Sequence, residues 1–85
     1  MPRFYLHLNY LHDFLADPDG SDYRDLQSAR SEAQQGIRDL AAECLRSGEE
    51  FKLFSIRICN AEGETLDEVF VQDALEGIIP LNAVQ

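Results

Sequence analysis

Between Leu26 and Leu45 the apolar residues return at steps of three and four, and no other stretch restricts the fold as strongly. Leu26, Ala29, Ala33, Ile37, Leu40, Ala41, Cys44 and Leu45 fall on one stripe of an α-helix of about six turns. Gln27, Arg30, Glu32, Gln34, Gln35, Arg38, Asp39 and Glu43 take the remaining surface. Asp25 is placed to accept from the first free amides, Arg46 stands near the negative end, and Gly48 sits just past the last turn, so both ends are marked. Gly36, beside the stripe, costs about 1 kcal/mol relative to Ala; it reads either as clearance for a close helix–strand approach or as slack. A helix with one apolar stripe needs a second layer to bury it.

That layer is a β-sheet. Residues 3–10 alternate, with Phe4, Leu6 and Leu8 on one side and Tyr5, His7 and Asn9 on the other, the period of a half-buried strand. A short strand through Phe14 and Leu15 runs into Asp17-Pro18-Asp19-Gly20, where Pro sets φ, Gly accepts positive φ and the Asp carboxylates bond nearby amides. Ser21 to Arg24 is too short a pattern to assign. After the helix, Phe54, Ile56 and Ile58 alternate with Ser55, Arg57 and Cys59. Asn60-Ala61-Glu62-Gly63 supplies a turn, and Thr65 to Val71 alternates again, with Leu66 and Phe70 on one face and Val69 and Val71 on the other.

The expected architecture is α+β: an antiparallel sheet of three to four strands with one long amphipathic helix packed on one face, in β-β-α-β-β order. It forms a single domain over residues 1–75, and residues 76–85 form a C-terminal tail, docked or flexible, with Ile78, Ile79, Leu81 and Val84 broken by Gly77 and Pro80. The expected core is Phe4, Leu6, Leu8, Leu26, Ala33, Ile37, Leu40, Cys44, Phe54, Ile56, Ile58, Leu66 and Phe70. A chain of 85 residues buries only about 60–65% of its unfolded surface, so its stability margin is small.

The helix covers one face of the sheet and leaves the other, which this alternation assigns Tyr5, His7, Leu53, Arg57, Cys59, Val69 and Val71. Mixed apolar and polar surface of that kind marks a candidate interface, used by a homo-oligomer or a hetero-complex through the face or a free strand edge. Sixteen acids against seven Lys and Arg leave a net charge of −9, which repels a phosphate backbone and argues against direct nucleic-acid binding. The acids are scattered, as on a surface that keeps a protein soluble, and they leave room for a basic protein partner. No apolar run has the length of a signal h-region or a membrane span, so a cytoplasmic protein with no membrane partner is expected.

Little in the chain points to chemistry. His7 and His12 stand five apart without the third and fourth ligands a metal site needs, and a strand histidine bonded to a neighbour is the simpler reading. Asp17, Asp19 and Asp22 lack the Gly and Glu positions of a calcium loop. Cys44 lies on the buried stripe and Cys59 near Arg57; neither belongs to a CxxC pattern, and a reducing compartment keeps both as thiols. With no GxGxxG, P-loop, GxSxG or HExxH pattern, we expect no enzyme, no catalytic residues, no cofactor and no metal. The expected role is a small non-enzymatic interaction or assembly module, either a homodimer or the acidic partner of a basic protein. The alternatives are an acidic nucleic-acid mimic and a small-ligand or metal sensor using His7 and Cys59.

The opening Met1-Pro2-Arg3-Phe4-Tyr5-Leu6-His7-Leu8, Asp17 and Gly20 in the turn, and Asp25-Leu26-x-x-Ala29-Arg30-x-Glu32-Ala33 at the head of the helix also form a pattern. Together with the Asn60 to Phe70 hairpin and the following Asp73-Ala74-Leu75, it resembles a family of short bacterial proteins, common in soil and plant-associated species, catalogued as a domain of unknown function. The resemblance spans about residues 1–75 and implies a fold and a lineage without an activity. More remotely, two strands followed by an Asp-Leu-x-x-Ala helix is similar to the partner-binding domain of HicB-type antitoxins. The DNA-binding segment that commonly follows such domains is not expected here, since only about ten residues follow Leu75.

Overall fold

The computed structural model describes residues 1–76, so all but the first residue of the expected tail lies outside the described residues. Along the chain run β1 (Arg3–Tyr10), β2 (Phe14–Leu15), β3 (Ser21–Asp22), α1 (Leu26–Ser47), β4 (Leu53–Cys59), β5 (Thr65–Phe70) and α2 (Val71–Leu75). The strands form one antiparallel sheet in the order β2-β1-β4-β5, with β3 also paired to β1. The protein is α+β, with five strands among the described residues where three to four were expected. The added strand is the two-residue β3, whose partners are Arg3 and Phe4.

β2 and β3 pair with opposite ends of β1, and Asp17 fills the gap between them. Its carboxylate accepts from Leu6 N at 3.2 Å and Gly20 N at 3.1 Å, so a side chain satisfies a strand amide that no neighbouring strand reaches. Gly20 closes this turn at φ 69°, and a Cβ there would stand 2.9 Å from Phe4 O and from the Tyr5 ring. Only glycine fits both constraints.

α1 begins and ends where the local signals place it. Asp25 Oδ1 accepts from Ser28 N at 2.8 Å, and this backbone hydrogen bond holds the Asp25 carboxyl below the ordinary carboxylate range. At the other end Gly48, at φ 76°, donates to Cys44 O at 2.9 Å. Ala29, Ala33, Ile37 and Ala41 are buried against the sheet, and the three alanines let the helix lie close. Gly36 contributes no such clearance: a Cβ there would sit 4.0 Å from Ile56 Cδ1, an ordinary contact, so the slack reading applies. Arg30 reaches from the helix to Asp67 on β5 at 2.7 Å.

Two β-bulges decide which side chains face the helix. Asn9 pairs with Ser55 but Tyr10 pairs with Leu53, so Phe54 is the extra residue; it is 51% exposed, and Leu53 drops into the core at 4%. Ile58 pairs with Asp67 but Cys59 with Thr65, so Leu66 is the extra residue of β5. Beyond it the alternation is reversed: Val69, opposite Ile56, is buried, and Leu66 and Phe70 are exposed. The expected core members Phe54, Leu66 and Phe70 are therefore corrected to surface positions. Leu53, Val69, Ala29, Ala41, Ala74 and Leu75 join Phe4, Ala33, Ile37, Ile56 and Ile58 in the buried cluster. Leu6, Leu8, Leu26 and Leu40 pack on it half-buried, and Cys44 is likewise half-buried.

The strand expected to continue through Val71 stops at Phe70, where α2 starts and carries the buried Ala74 and Leu75 back over the core. Tyr23, after β3, packs its ring 6.2 Å from that of Phe4, and burial pushes its hydroxyl above its ordinary pKa. Among the described residues no helix is long and apolar enough to cross a membrane.

Candidate interface on the uncovered sheet face

Alternation along β1 and β4 fixes what the sheet face opposite α1, uncovered among the described residues, presents. Leu6 and Leu8 meet Ile58 and Ile56 on the helix side, so Tyr5, His7 and Asn9 stand opposite Cys59, Arg57 and Ser55 on the outer side. β5 adds Glu68 opposite Arg57 and Phe70 opposite Ser55, while β2 adds Phe14 opposite Asn9.

The middle of the face is aromatic and cationic. The Tyr5 and His7 rings are stacked 6.4 Å apart, His7 and Phe14 lie 5.6 Å apart, and the Arg57 guanidinium is 5.7 Å from the Phe14 centroid. Arg57 joins none of the ion pairs formed among the described residues. Its cross-strand neighbour Glu68 is engaged sideways instead: Ser55 Oγ donates to Glu68 Oε2, and Asn9 Nδ2 donates to Ser55 Oγ at 3.1 Å and to Glu68 Oε2 at 3.4 Å. This network ties three strands together beneath the surface. At one corner Arg3 and Asp22 form an ion pair at 3.2 Å. The face therefore carries balanced charge on a molecule of net charge −9.

Ser55 is fully buried, so its hydroxyl reaches no substrate. His7 Nδ1 accepts from Asp17 N at 3.0 Å, and Nε2 has no hydrogen-bond partner among the described residues. Cys59 is buried, with Sγ 3.7 Å from Thr65 Oγ1. Among the described residues no three His, Cys, Asp or Glu side chains gather as a metal site would need. His12 is exposed in the turn after β1 and makes no side-chain hydrogen bond with His7 among the described residues.

Of the seven residues assigned to this face from the sequence, the structure brings together Tyr5, His7, Arg57 and Cys59. Leu53 and Val69 are corrected to core positions, because each of the two bulges shifts the alternation by one residue. Val71 is corrected as well: it opens α2, half-buried against the core. Asn9, Phe14, Ser55 and Glu68 were not singled out. Asn9 and Ser55 share the period of Tyr5 and Arg57 and were legible on that ground, whereas Glu68 is placed by the bulge at Leu66.

A second apolar surface lies at the end of the sheet where β4 begins and β5 ends. Phe51, Phe54, Phe70, Val71, Asp73 and Leu75 line a groove of about 650 Å³. The Phe54 and Phe70 rings meet there edge to face, 5.5 Å apart.

No curated protein and no solved structure matches the chain, so neither comparison supports the likeness to HicB-type antitoxins. The family described as Domain of unknown function (DUF6894) matches residues 3–72, from the first residue of β1 into α2. That match takes in all five strands and the whole of α1, and the chain belongs to this family.

Proposed function

We propose that this domain is a non-enzymatic assembly module that pairs with a second copy of itself through the uncovered sheet face. The observation that carries the reading is a charge-balanced, aromatic-centred face on an otherwise acidic molecule. Two copies can approach there because the face's own Asp22 and Glu68 are matched by Arg3 and Arg57, while the other acids stand on α1, on α2 or in the turns, and Asp67 faces the helix. β1 is eight residues long, so the face measures roughly 26 Å by 19 Å across four strands, about 500 Å² in projection. A standard interface buries about 800 Å² per partner, so a face of this size belongs with the small, transient pairings.

Sedimentation equilibrium from about 10 µM to about 1 mM tests it. The mass is expected to rise above the 9.6 kDa of one chain with concentration. It rises further with added salt, which screens the repulsion between two copies of net charge −9. Phe14→Asp and Arg57→Glu, both on the face, are expected to hold the chain at monomer mass with unchanged circular dichroism. Monomer mass for the unaltered chain over the whole range would overturn the proposal. A nucleic-acid mimic has less support, because its carboxylates would have to line one face and here they are spread over helix and turns. A metal or ligand sensor has less as well, with His7 Nδ1 engaged and Cys59 buried.

A further inference from the structure

We infer that the groove at the end of the sheet receives the apolar side of a basic amphipathic segment from another protein. This groove adjoins the face proposed for self-pairing at Phe70, and the inference does not depend on that pairing. Its walls are the rings of Phe51, Phe54 and Phe70. Phe54 and Phe70 are both exposed, although each is large enough to anchor an interface. Its floor is core: Leu53 and Leu75 are buried, so an inserted side chain meets close-packed apolar atoms rather than water. About 650 Å³ accommodates a few large side chains, as the anchors of a helix-in-groove contact require.

The rim selects among occupants. Asp73 lines the groove, the exposed Glu49 and Glu50 immediately precede Phe51, and the exposed Glu76 follows Leu75. Lys52 is the one cation in these flanking positions. Asp73 in the lining, with Glu49, Glu50 and Glu76 beside lining residues in the chain, attracts a segment whose polar side is lysine or arginine and repels anionic membranes and nucleic acid. A second copy of this chain would bring the same carboxylates to the same rim.

Fluorescence anisotropy with labelled synthetic peptides tests this on the full chain. Three probes suffice: an amphipathic helix with a Leu/Phe side and a Lys/Arg side, the same apolar side with Glu replacing the cations, and the basic composition scrambled. The basic amphipathic peptide is expected to bind at least about tenfold more tightly than either control, and more weakly as salt rises. Phe54→Ala is expected to weaken it severalfold, and Glu50→Lys, at an exposed position away from the core, to weaken it through charge alone. Absence of binding, equal binding of the scrambled basic peptide, or indifference to both substitutions would overturn the inference. Binding that emerges only when residues 77–85 are deleted would also overturn it, by assigning the groove to the chain's own C-terminal segment.

Discussion

Replacing Leu53 and Phe54 separately by alanine tests the bulge that re-sorts β4. Strict alternation from Ile56 and Ile58 would bury Phe54 and expose Leu53, so Phe54→Ala would cost about 3–5 kcal/mol and Leu53→Ala little. The structure reverses the order. Leu53 is 4% exposed, opposite Tyr10 and packed under α2, and its truncation removes three methylene equivalents and leaves a cavity, together about 3 kcal/mol. Phe54 is 51% exposed, so its truncation forfeits the buried half of the ring and its edge-to-face contact with Phe70, about 1–1.5 kcal/mol. A domain of 85 residues has a total stability of roughly 4–13 kcal/mol, so a 3 kcal/mol loss is readily seen. At about 4–8 °C per kcal/mol, Leu53→Ala lowers the melting midpoint by roughly 12–24 °C and Phe54→Ala by at most about half of that. Urea unfolding followed by far-ultraviolet circular dichroism reads both, with an unchanged m-value showing that the unfolding reaction is the same. A larger loss for Phe54→Ala than for Leu53→Ala would refute the bulge and the core assignment together.

Gly20→Ala is expected to cost roughly 3 kcal/mol, from positive φ combined with a Cβ pressed against Phe4 O and the Tyr5 ring. Gly48→Ala, where φ is also positive but the space is open, should cost only about 1 kcal/mol, and equal losses in urea unfolding would remove the contact half of the account. The Asp25 carboxyl, lowered by the Ser28 amide, adds stability that is present in full above its unfolded value near 3.8 and is lost as pH falls through the folded value. Asp25→Asn is expected to flatten that acid limb, and an identical pH profile for both proteins would contradict the cap. Tyr23 is raised by burial, so the folded chain holds its phenolic proton more tightly and gains stability below about pH 10, lost as pH rises through the folded value. Ultraviolet titration should show a late-ionising component in the folded chain that is absent from Tyr23→Phe; its survival in that variant would reassign it.

What was legible depended on how local the cause is. The ends of α1 could be read because Asp25 and Gly48 act within a turn of themselves, and its buried stripe because period and side chain belong to one segment. The Asp17 to Gly20 turn was legible for the same reason, although its task of completing the β1 edge was not. Bulges belong to pairs of strands, and neither Phe54 nor Leu66 announces that its partner strand will skip it. That single cause misplaced Leu53 and Val69 on the open face and Phe54, Leu66 and Phe70 in the core. α2 escaped notice because its first residue, Val71, favours strands and its cap position, Phe70, makes no side-chain cap bond. The open face was read best on β1, where Tyr5, His7 and Asn9 keep an unbroken period before the bulge.

Isotope-filtered NOE spectroscopy on an equal mixture of labelled and unlabelled chain addresses self-pairing through the uncovered face without intermediary. The account predicts cross-peaks between copies among Tyr5, His7, Phe14 and Arg57, and none from the outer side of α1. Cross-peaks confined to α1, or to the Phe54 and Phe70 groove, would contradict it.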